Sequence, residues 1–189
     1  NLISASLISS ANDAAAAAAC GVSGTQEEFA ALMREKAAEL GATDSTYKYA
    51  YGDWHSNTYS TAYDQALIGR EFMKNPDYSN LRSIVKKHSY TFTTLKDKKR
   101  YTSKMGWMST QLVRNDSFIG IKSGYNPPAR YCYAGAWKYN GKTYISVVLG
   151  ASSSSKLVSS QKALRKLGKY LVKNYDLRNK KEEQACSML

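Results

Sequence analysis

The chain has 189 residues, 43% of them hydrophobic, and a formal net charge of +12. That length supports one domain with a real core rather than two, no apolar run approaches the ~18 to 20 residues of a membrane-spanning helix, and no basic-then-apolar leader opens the chain. The charge favours an anionic partner, but the lysines and arginines are spread along the sequence, densest at residues 96–100 and 162–181, without the basic stripe or motif of a nucleic-acid binder. A solvated basic face is the expectation, with contact to an anionic cell-wall polymer or membrane surface as the alternative use of the charge. Residue 1 is Asn rather than Met, so a processed product or a fragment is the expectation.

Three cysteines, Cys20, Cys132 and Cys186, form no C-x-x-C pair, and His55 and His88 lie far apart in sequence. No metal-ligand spacing exists, and no cofactor is implied. Cys20 and Cys132 are expected to be buried free thiols.

In chain order, Asn1 to Ile8 is apolar and runs through Ser9-Ser10-Ala11-Asn12-Asp13 into six alanines, Ala14 to Ala19. Alanine is the strongest helix former, so a helix is predicted there, capped by Asn12 or Asp13 and ended by Gly21. Ser10 to Asn12 then sits in a turn between two helices. Thr25-Gln26-Glu27-Glu28 is a capping box, followed by Phe29, Leu32, Met33, Ala37 and Leu40 at helical spacing and a stop at Gly41. Residues 43–59 read as a loop. Thr61 with Asp64 opens a helix through Met73, and Asn75-Pro76 begins a shorter one. The pattern then changes to strands: Ser89 to Thr93, Phe118 to Ser123, and the pair Tyr131 to Lys138 and Lys142 to Leu149 joined by the hairpin signal Asn140-Gly141. Ser155 to Tyr175 reads as an amphipathic helix whose apolar face carries Val158, Leu164, Leu167, Leu171 and Tyr175. The expected organisation is one domain over residues 1–175 and a loose polar tail over 176–189.

Two short motifs carry chemistry. Ser10-Ala11-Asn12 precedes the alanine helix, and Lys122-Ser123-Gly124 ends a strand. With an upstream Ser-x-x-Lys they would complete the set used by penicillin-binding proteins and class A β-lactamases. Either tripeptide alone is weak evidence; their order and context add to it.

The flanks extend the match. Residues 7–15 with Ser10 and Asn12, the block Tyr59 to Ile68, Ile119 to Tyr125 followed by Tyr131-Cys132, Asn140-Gly141-Lys142 and Val147 to Ala151 together resemble the low-molecular-weight, serine-type D-alanyl-D-alanine carboxypeptidases over roughly residues 5–175. The resemblance implies an α+β fold of the β-lactamase and penicillin-binding-protein transpeptidase type. A helical lobe would carry Ser10 and Asn12, and an antiparallel sheet with a covering C-terminal helix would carry Lys122 to Gly124. It also implies an extracytoplasmic bacterial protein acting on peptidoglycan stem peptides ending in D-Ala-D-Ala, and reacting with β-lactams if the full site is present. Ser123 stands where the family more often has Thr. Tyr49-Ala50-Tyr51-Gly52 replaces its Asn-x-x-Gly, and Thr58 stands in place of its His, with His55 displaced.

The family's nucleophile and its base lie in Ser-x-x-Lys, several dozen residues upstream of Ser-x-Asn, whereas nine residues precede Ser10 here. The N-terminal part of the fold is therefore expected to be missing from this chain. Four Ser-x-x-Lys strings, beginning at Ser45, Ser83, Ser153 and Ser159, fall in the wrong order and read as accidents. On the resemblance, Ser10 passes a proton to the leaving amine, and Asn12 binds the substrate amide and helps hold the nucleophile's lysine. Lys122 holds Ser10 and the substrate carboxylate, Ser123 donates to that carboxylate, and Gly124 leaves room for the substrate strand. The N–H of Tyr125 forms half of an oxyanion hole. His55 and His88 read as loop residues, and Trp107 and Tyr125 as candidate cleft walls. Cys186-Ser187-Met188-Leu189 fits a prenylation pattern, which an exported bacterial protein would not meet. Two other functions are weighed: a binding module for D-Ala-D-Ala without turnover, and a β-lactamase-like hydrolase, against which stands the lack of any Glu in residues 43–70.

Overall fold

The computed structural model describes residues 1–94, 96–113 and 118–186. A first helical segment consists of α1 (Leu2–Ser4) and a π-helical turn, Ala5–Ser9. It is followed by α2 (Asn12–Ser23), α3 (Gln26–Glu39), α4 (Ala62–Lys74), a 3-10 turn (Pro76–Tyr78) and α5 (Ser79–Ile84). The strands are β1 (Ser89–Thr93), β2 (Arg100–Lys104), β3 (Ile121–Asn126), β4 (Arg130–Tyr139) and β5 (Lys142–Ala151), with α6 (Trp107–Val113) between β2 and β3 and α7 (Ser154–Cys186) closing the order. β1 and β2 form an antiparallel ribbon; β3, β4 and β5 form a second antiparallel sheet in that order.

Local chemistry accounts for most element ends. Thr25 Oγ1 accepts from the Glu28 N–H while the Glu28 carboxylate accepts from the Thr25 N–H, a reciprocal cap that starts α3. Thr61 Oγ1 caps α4 through the Asp64 N–H. At Asn140-Gly141 both φ angles are positive, 48° and 73°, the two-residue turn whose twist matches the strands it joins. α2 departs from expectation: Ala11, which has no capping side chain, is its N-cap, Asp13 Oδ1 instead accepts from the Ala14 N–H within the first turn, and the helix runs past Gly21 to stop at Gly24.

The sheet is covered on both faces. Toward α4, a Cβ on Gly69 would come within 3.2 Å of Ile145 and 3.3 Å of Ile121, so the helix sits close only because that side chain is absent. On the other face, Trp137 stacks on Tyr144 at 4.6 Å, and α7 crosses over the indole at Gly168. Leu112, Phe118, Tyr133, Trp137, Leu157 and Val158 form this core. Gln161 of α7 is fully buried in it. Its Nε2 donates to the carbonyls of Tyr133 and Ser146, and its Oε1 accepts from Ser146 Oγ at 2.6 Å, which satisfies the amide and ties helix to sheet.

Several expectations are corrected. The strand expected at Phe118 to Ser123 lies three residues later, at Ile121–Asn126; Phe118 is core outside the strand. Strand β2 and helix α6 were not expected. Helix α7 continues to Cys186 where a loose tail was expected. The leucines assigned to its buried face are largely exposed, Leu167 at 52% and Leu171 at 57%, because Leu157, Val158, Gln161 and Gly168 make the contact instead. Leu32 of α3 is likewise exposed. Cys20 is an exposed free thiol rather than a buried one, and Cys132 is half-buried. The side chains of Trp107, Tyr175 and Cys186 and the whole of residues 187–189 lie outside the described residues. Among the described residues, no helix is long and apolar enough to cross a membrane.

Candidate active site

Ser10 follows the π-helical turn and takes the left-handed conformation, φ 61° and ψ 38°, unusual for a residue with a Cβ. The turn is fastened on both sides: the Ala11 N–H donates to the Ala5 carbonyl, and Ser9 Oγ pairs with Ser103 Oγ of β2. This sharp reversal presents Ser10 as an exposed hydroxyl and lets α2 begin at Asn12, which is also exposed. Both line a cleft of about 920 Å³ between the helices and β3.

The opposite wall is β3. Lys122 extends its ammonium across the cleft and donates to Ser10 Oγ at 2.8 Å and to the Ser123 carbonyl at 2.6 Å. The 112 positions that separate Lys122 from Ser10 in sequence are thus closed to a single hydrogen bond. Burial pushes the Lys122 pKa down from 10.5 to about 8, since a charge held away from water favours its neutral form. Next along the strand, Ser123 Oγ accepts from Ser109 Oγ of α6 at 2.9 Å, and Ser109 is itself buried. Gly124 is exposed, with open space where a Cβ would lie. Tyr125 is 56% exposed, its ring set against Tyr131 at 4.4 Å. β3 pairs with β4 on one side, so its other edge offers backbone donors and acceptors to an incoming strand. Upstream, Gly120 has φ 131°, and a Cβ there would come within 2.9 Å of Val85. Its carbonyl accepts from the buried Tyr133 hydroxyl at 3.2 Å, which fixes where β3 starts.

The structure therefore brings Ser10, Asn12, Lys122, Ser123, Gly124 and Tyr125 to one cleft. Neither the serine nor the lysine of any of the four Ser-x-x-Lys strings is among its described lining residues, although Tyr47 of the first string is. Ser45 is tied to Ser60 and Asp64, Ser83 to the Asn80 carbonyl, and Ser153 to the Lys156 N–H. His55 accepts from the Asn57 N–H inside its own loop, and His88 is exposed. Thr58 accepts from the Lys48 N–H and staples that loop. Sequence reasoning missed Ser109, which carries no motif, and it left the aromatic loop between Tyr47 and Tyr59 without a role although that loop forms a whole wall of the cleft. Its density of aromatic residues was the available signal. No group of three or more His, Cys, Asp or Glu side chains among the described residues could hold a metal ion.

Comparison with known proteins gives this geometry a relationship. The model of the Peptidase S11 family, D-alanyl-D-alanine carboxypeptidase, matches residues 1–153. The chain belongs to that family. Within it, this S11 chain is 34% identical over 149 residues to the D-alanyl-D-alanine carboxypeptidase DacF of Bacillus subtilis, a match covering 77% of the chain and 36% of the relative. It is 33% identical over 147 residues to DacC of Escherichia coli, covering 78% and 34%. The chain thus spans about a third of the length of these curated relatives. Among solved structures, a mutant of the Streptomyces K15 DD-transpeptidase superposes with a TM-score of 0.79 at 28% identity, over 88% of this chain and 66% of that one. Penicillin-Binding Protein D2 of Listeria monocytogenes, in its cefotaxime-bound form, superposes with a TM-score of 0.73 at 27% identity, over 88% and 64%. The S11 chain accordingly has the α+β fold of the penicillin-binding proteins, over part of its extent.

Proposed function

We propose that this chain supplies two of the three motifs of a serine-type D-Ala-D-Ala carboxypeptidase site acting on peptidoglycan stem peptides outside the bacterial cytoplasm. The nucleophile's Ser-x-x-Lys segment would be supplied by polypeptide outside this sequence. The observation that carries the reading is the hydrogen bond from Lys122 to Ser10 across the cleft, beside a free strand edge. A substrate backbone laid along that edge of β3 gains main-chain hydrogen bonds, and Gly124 admits it without a clash. Its terminal carboxylate reaches the Lys122 ammonium and the Ser123 hydroxyl. Because Ser123 Oγ already accepts from Ser109, its own proton is free to be donated to the carboxylate.

Charge and proton movement follow. The supplied serine hydroxyl adds to the penultimate carbonyl carbon and gives its proton to the supplied lysine. The Tyr125 N–H would bind the oxygen that becomes negative. Ser10 accepts from Lys122, so its own proton can pass to the departing D-alanine nitrogen as the C–N bond breaks and be replaced from the supplied lysine. Water then hydrolyses the ester. Asn12 would hold the substrate amide. β-Lactams would enter the same cleft. The charge of +12 would hold the protein near an anionic wall polymer or membrane surface.

The chain by itself is expected to bind and not to turn over. A peptide ending in D-Ala-D-Ala should bind more tightly than its C-terminal amide, and a fluorescent penicillin should leave no covalent adduct. Equal binding of acid and amide would remove Lys122 and Ser123 from the site. An adduct mapping to Ser45, Ser83, Ser153 or Ser159 would show that the nucleophile had been sought in the wrong place.

A further inference from the structure

Residues 86–104 hold seven lysines and arginines and one acidic residue, Asp97. All seven cations are exposed, and none of these residues is among the described lining of the cleft. Arg100 and Lys104 lie within β2; the other five, all lysines, flank the two strands of the ribbon. The single acid is used internally. Its carboxylate accepts from Thr94 Oγ1, from the Lys99 N–H at 3.2 Å and from the Tyr101 hydroxyl at 3.4 Å. The Thr94 N–H donates to the Lys99 carbonyl at 3.0 Å, which closes the base of the connection. Among the described residues, Lys99 at 3.9 Å from Asp97 makes the one ion pair of the ribbon.

The two faces of the ribbon differ. Tyr90 opposes Ser103 and Phe92 opposes Tyr101, so these four side chains share a face. Its rings stack in succession, at 5.2 Å and 5.8 Å. Ser103 Oγ bonds Ser9 Oγ of the π-helical turn, which turns this face toward the body of the protein. Alternation puts Ser89, Thr91, Thr93, Arg100, Thr102 and Lys104 on the other face. All six are exposed: four hydroxyls, two cations and no apolar residue. Thr91 and Thr102 share a hydrogen bond at 2.9 Å across the strands, which leaves one of their two protons for a ligand. Arg100 and Lys104 bound the row four residues apart, about 13 Å at the rise of a strand.

We propose that this outer face docks a linear phosphodiester polymer with a hydroxyl-bearing, acyclic backbone. Arg100 takes a phosphate through parallel N–H donors, Lys104 takes another as a point charge, and the hydroxyls between them bond those of the polymer. The face itself selects this occupant. Its charge calls for an anion. With no apolar residue it has nothing to insert among lipid chains. A polymer of sugar rings would find no aromatic plane to lie on, because the rings of the ribbon face the other way. An acyclic polyol phosphate needs only the cations and hydroxyls that are present. This docking deepens the use made above of the +12 charge and rests on it; the peptide cleft takes no part. Ser9, bonded to Ser103, adjoins Ser10, so a polymer on β2 lies behind the turn that presents the cleft hydroxyl and leaves the cleft open.

The test titrates the whole chain by calorimetry, at low and at raised salt, with poly(glycerol phosphate), hyaluronate matched to it in charge, a DNA duplex and phosphatidylglycerol vesicles. Poly(glycerol phosphate) should bind most tightly, and more weakly as salt rises. Arg100→Gln with Lys104→Gln should weaken it roughly threefold to thirtyfold, the size of two exposed charge contacts. Thr91→Val with Thr102→Val keeps the charge and the strand propensity and should weaken it about twofold to tenfold. Lys156→Gln with Lys162→Gln removes two exposed charges from α7 and should change it by less than about twofold. Thermal unfolding checks each variant; should one ribbon pair unfold the chain, the other decides. A D-Ala-D-Ala peptide should bind the parent and all three variants alike, and its failure to bind the parent would strike the peptide reading while leaving this one standing. Polymer affinity unmoved by either ribbon pair overturns the docking, and so does an equal fall in the α7 pair, which would assign the attraction to net charge alone. Hyaluronate or the duplex binding as tightly as the polymer overturns it as well. So does a polymer that fails to bind, whether or not the vesicles do.

Discussion

Replacing Lys122 by Met should make the protein more stable and its site useless. Met is unbranched like Lys and one heavy atom shorter, so it keeps most of the apolar stem and removes the charge. The structure supplies the magnitude. The Lys122 pKa is about 8 in the folded chain against an ordinary 10.5, and at about 1.4 kcal/mol per decade that interval corresponds to about 3 kcal/mol. The folded value lies below the unfolded one, so between about pH 8 and 10.5 the unfolded chain holds more protons and stability rises with pH. Below pH 8 both states carry the charge, and the fold bears the full cost of burying it. Met removes that cost at the expense of two hydrogen bonds, to Ser10 and to the Ser123 carbonyl, leaving a net gain of roughly 1 to 3 kcal/mol at pH 7. For a chain of this size that raises Tm by roughly 2 to 10 °C. The gain should vanish above pH 10.5. Over the same comparison, affinity for a D-Ala-D-Ala peptide acid should fall by roughly tenfold or more, the value of a charge-assisted hydrogen bond. Urea and thermal unfolding at pH 7 and pH 10.5, with peptide titration at pH 7, measure both. A Met variant less stable than the parent at pH 7, or a gain that does not change with pH, would refute the claim that the ammonium is held out of water.

Affinity for the peptide acid in the unaltered chain should be flat below about pH 8 and weaken by up to tenfold per pH unit above it, because only protonated Lys122 pairs with a carboxylate; calorimetry across pH 6 to 10 checks this. Ser109→Ala should weaken acid binding about twofold to tenfold by releasing the Ser123 hydroxyl from its donor, with Ser109→Thr recovering part of the loss. Gly168→Ala should destabilise by about 1 to 3 kcal/mol in urea, since its Cβ would lie 2.7 Å from Trp137 Cζ2, although helix propensity alone would make it stabilising. Gln161→Ala should cost roughly 2 to 4 kcal/mol, because it strands Ser146 Oγ and two buried carbonyls.

The features that could be read from the sequence are those whose physics is local. The capping box at Thr25, the cap at Thr61 and the Asn140-Gly141 turn each involve residues a few positions apart, so their chemistry is written in consecutive letters. The two motifs were legible as strings, and the resemblance supplied their partnership; nothing in spacing alone places Ser10 2.8 Å from Lys122. The misses are tertiary. β2 is a polar run, Arg-Tyr-Thr-Ser-Lys, that pairs with β1 and is supported by Phe92 stacked on Tyr101 at 5.8 Å; in a thin ribbon with no fully buried residue, whose contact with the π-helical turn runs through the Ser103 hydroxyl, no alternating apolar pattern is needed. For α7, the leucines suggested one face, while contact is made roughly a quarter-turn around the helix. There the deciding residues are a glycine that admits Trp137 and a glutamine that finds three polar partners, neither of which a hydrophobic periodicity counts. Cys20 was judged by residue type, and a mostly small-residue helix left it in solvent.

The strand order β3-β4-β5 has one more implication, at the β5 border of the sheet. Over the described residues β5 is hydrogen-bonded to β4 alone, and between Lys142 and Ala151 it carries Tyr144, Ile145, Val147, Val148 and Leu149 with no proline and no further charge. Protein sheets ordinarily guard such a border with lysines, prolines or a covering element. Here one lysine stands at its start, and the break in regular geometry comes at the far end, where Gly150 has φ 71°. Left bare, this border is a template for self-association: two copies meeting there would knit their sheets together, and concentrated solutions would turn cloudy before the fold itself melted. Solubility and unfolding therefore report on different parts of this molecule and should be measured separately.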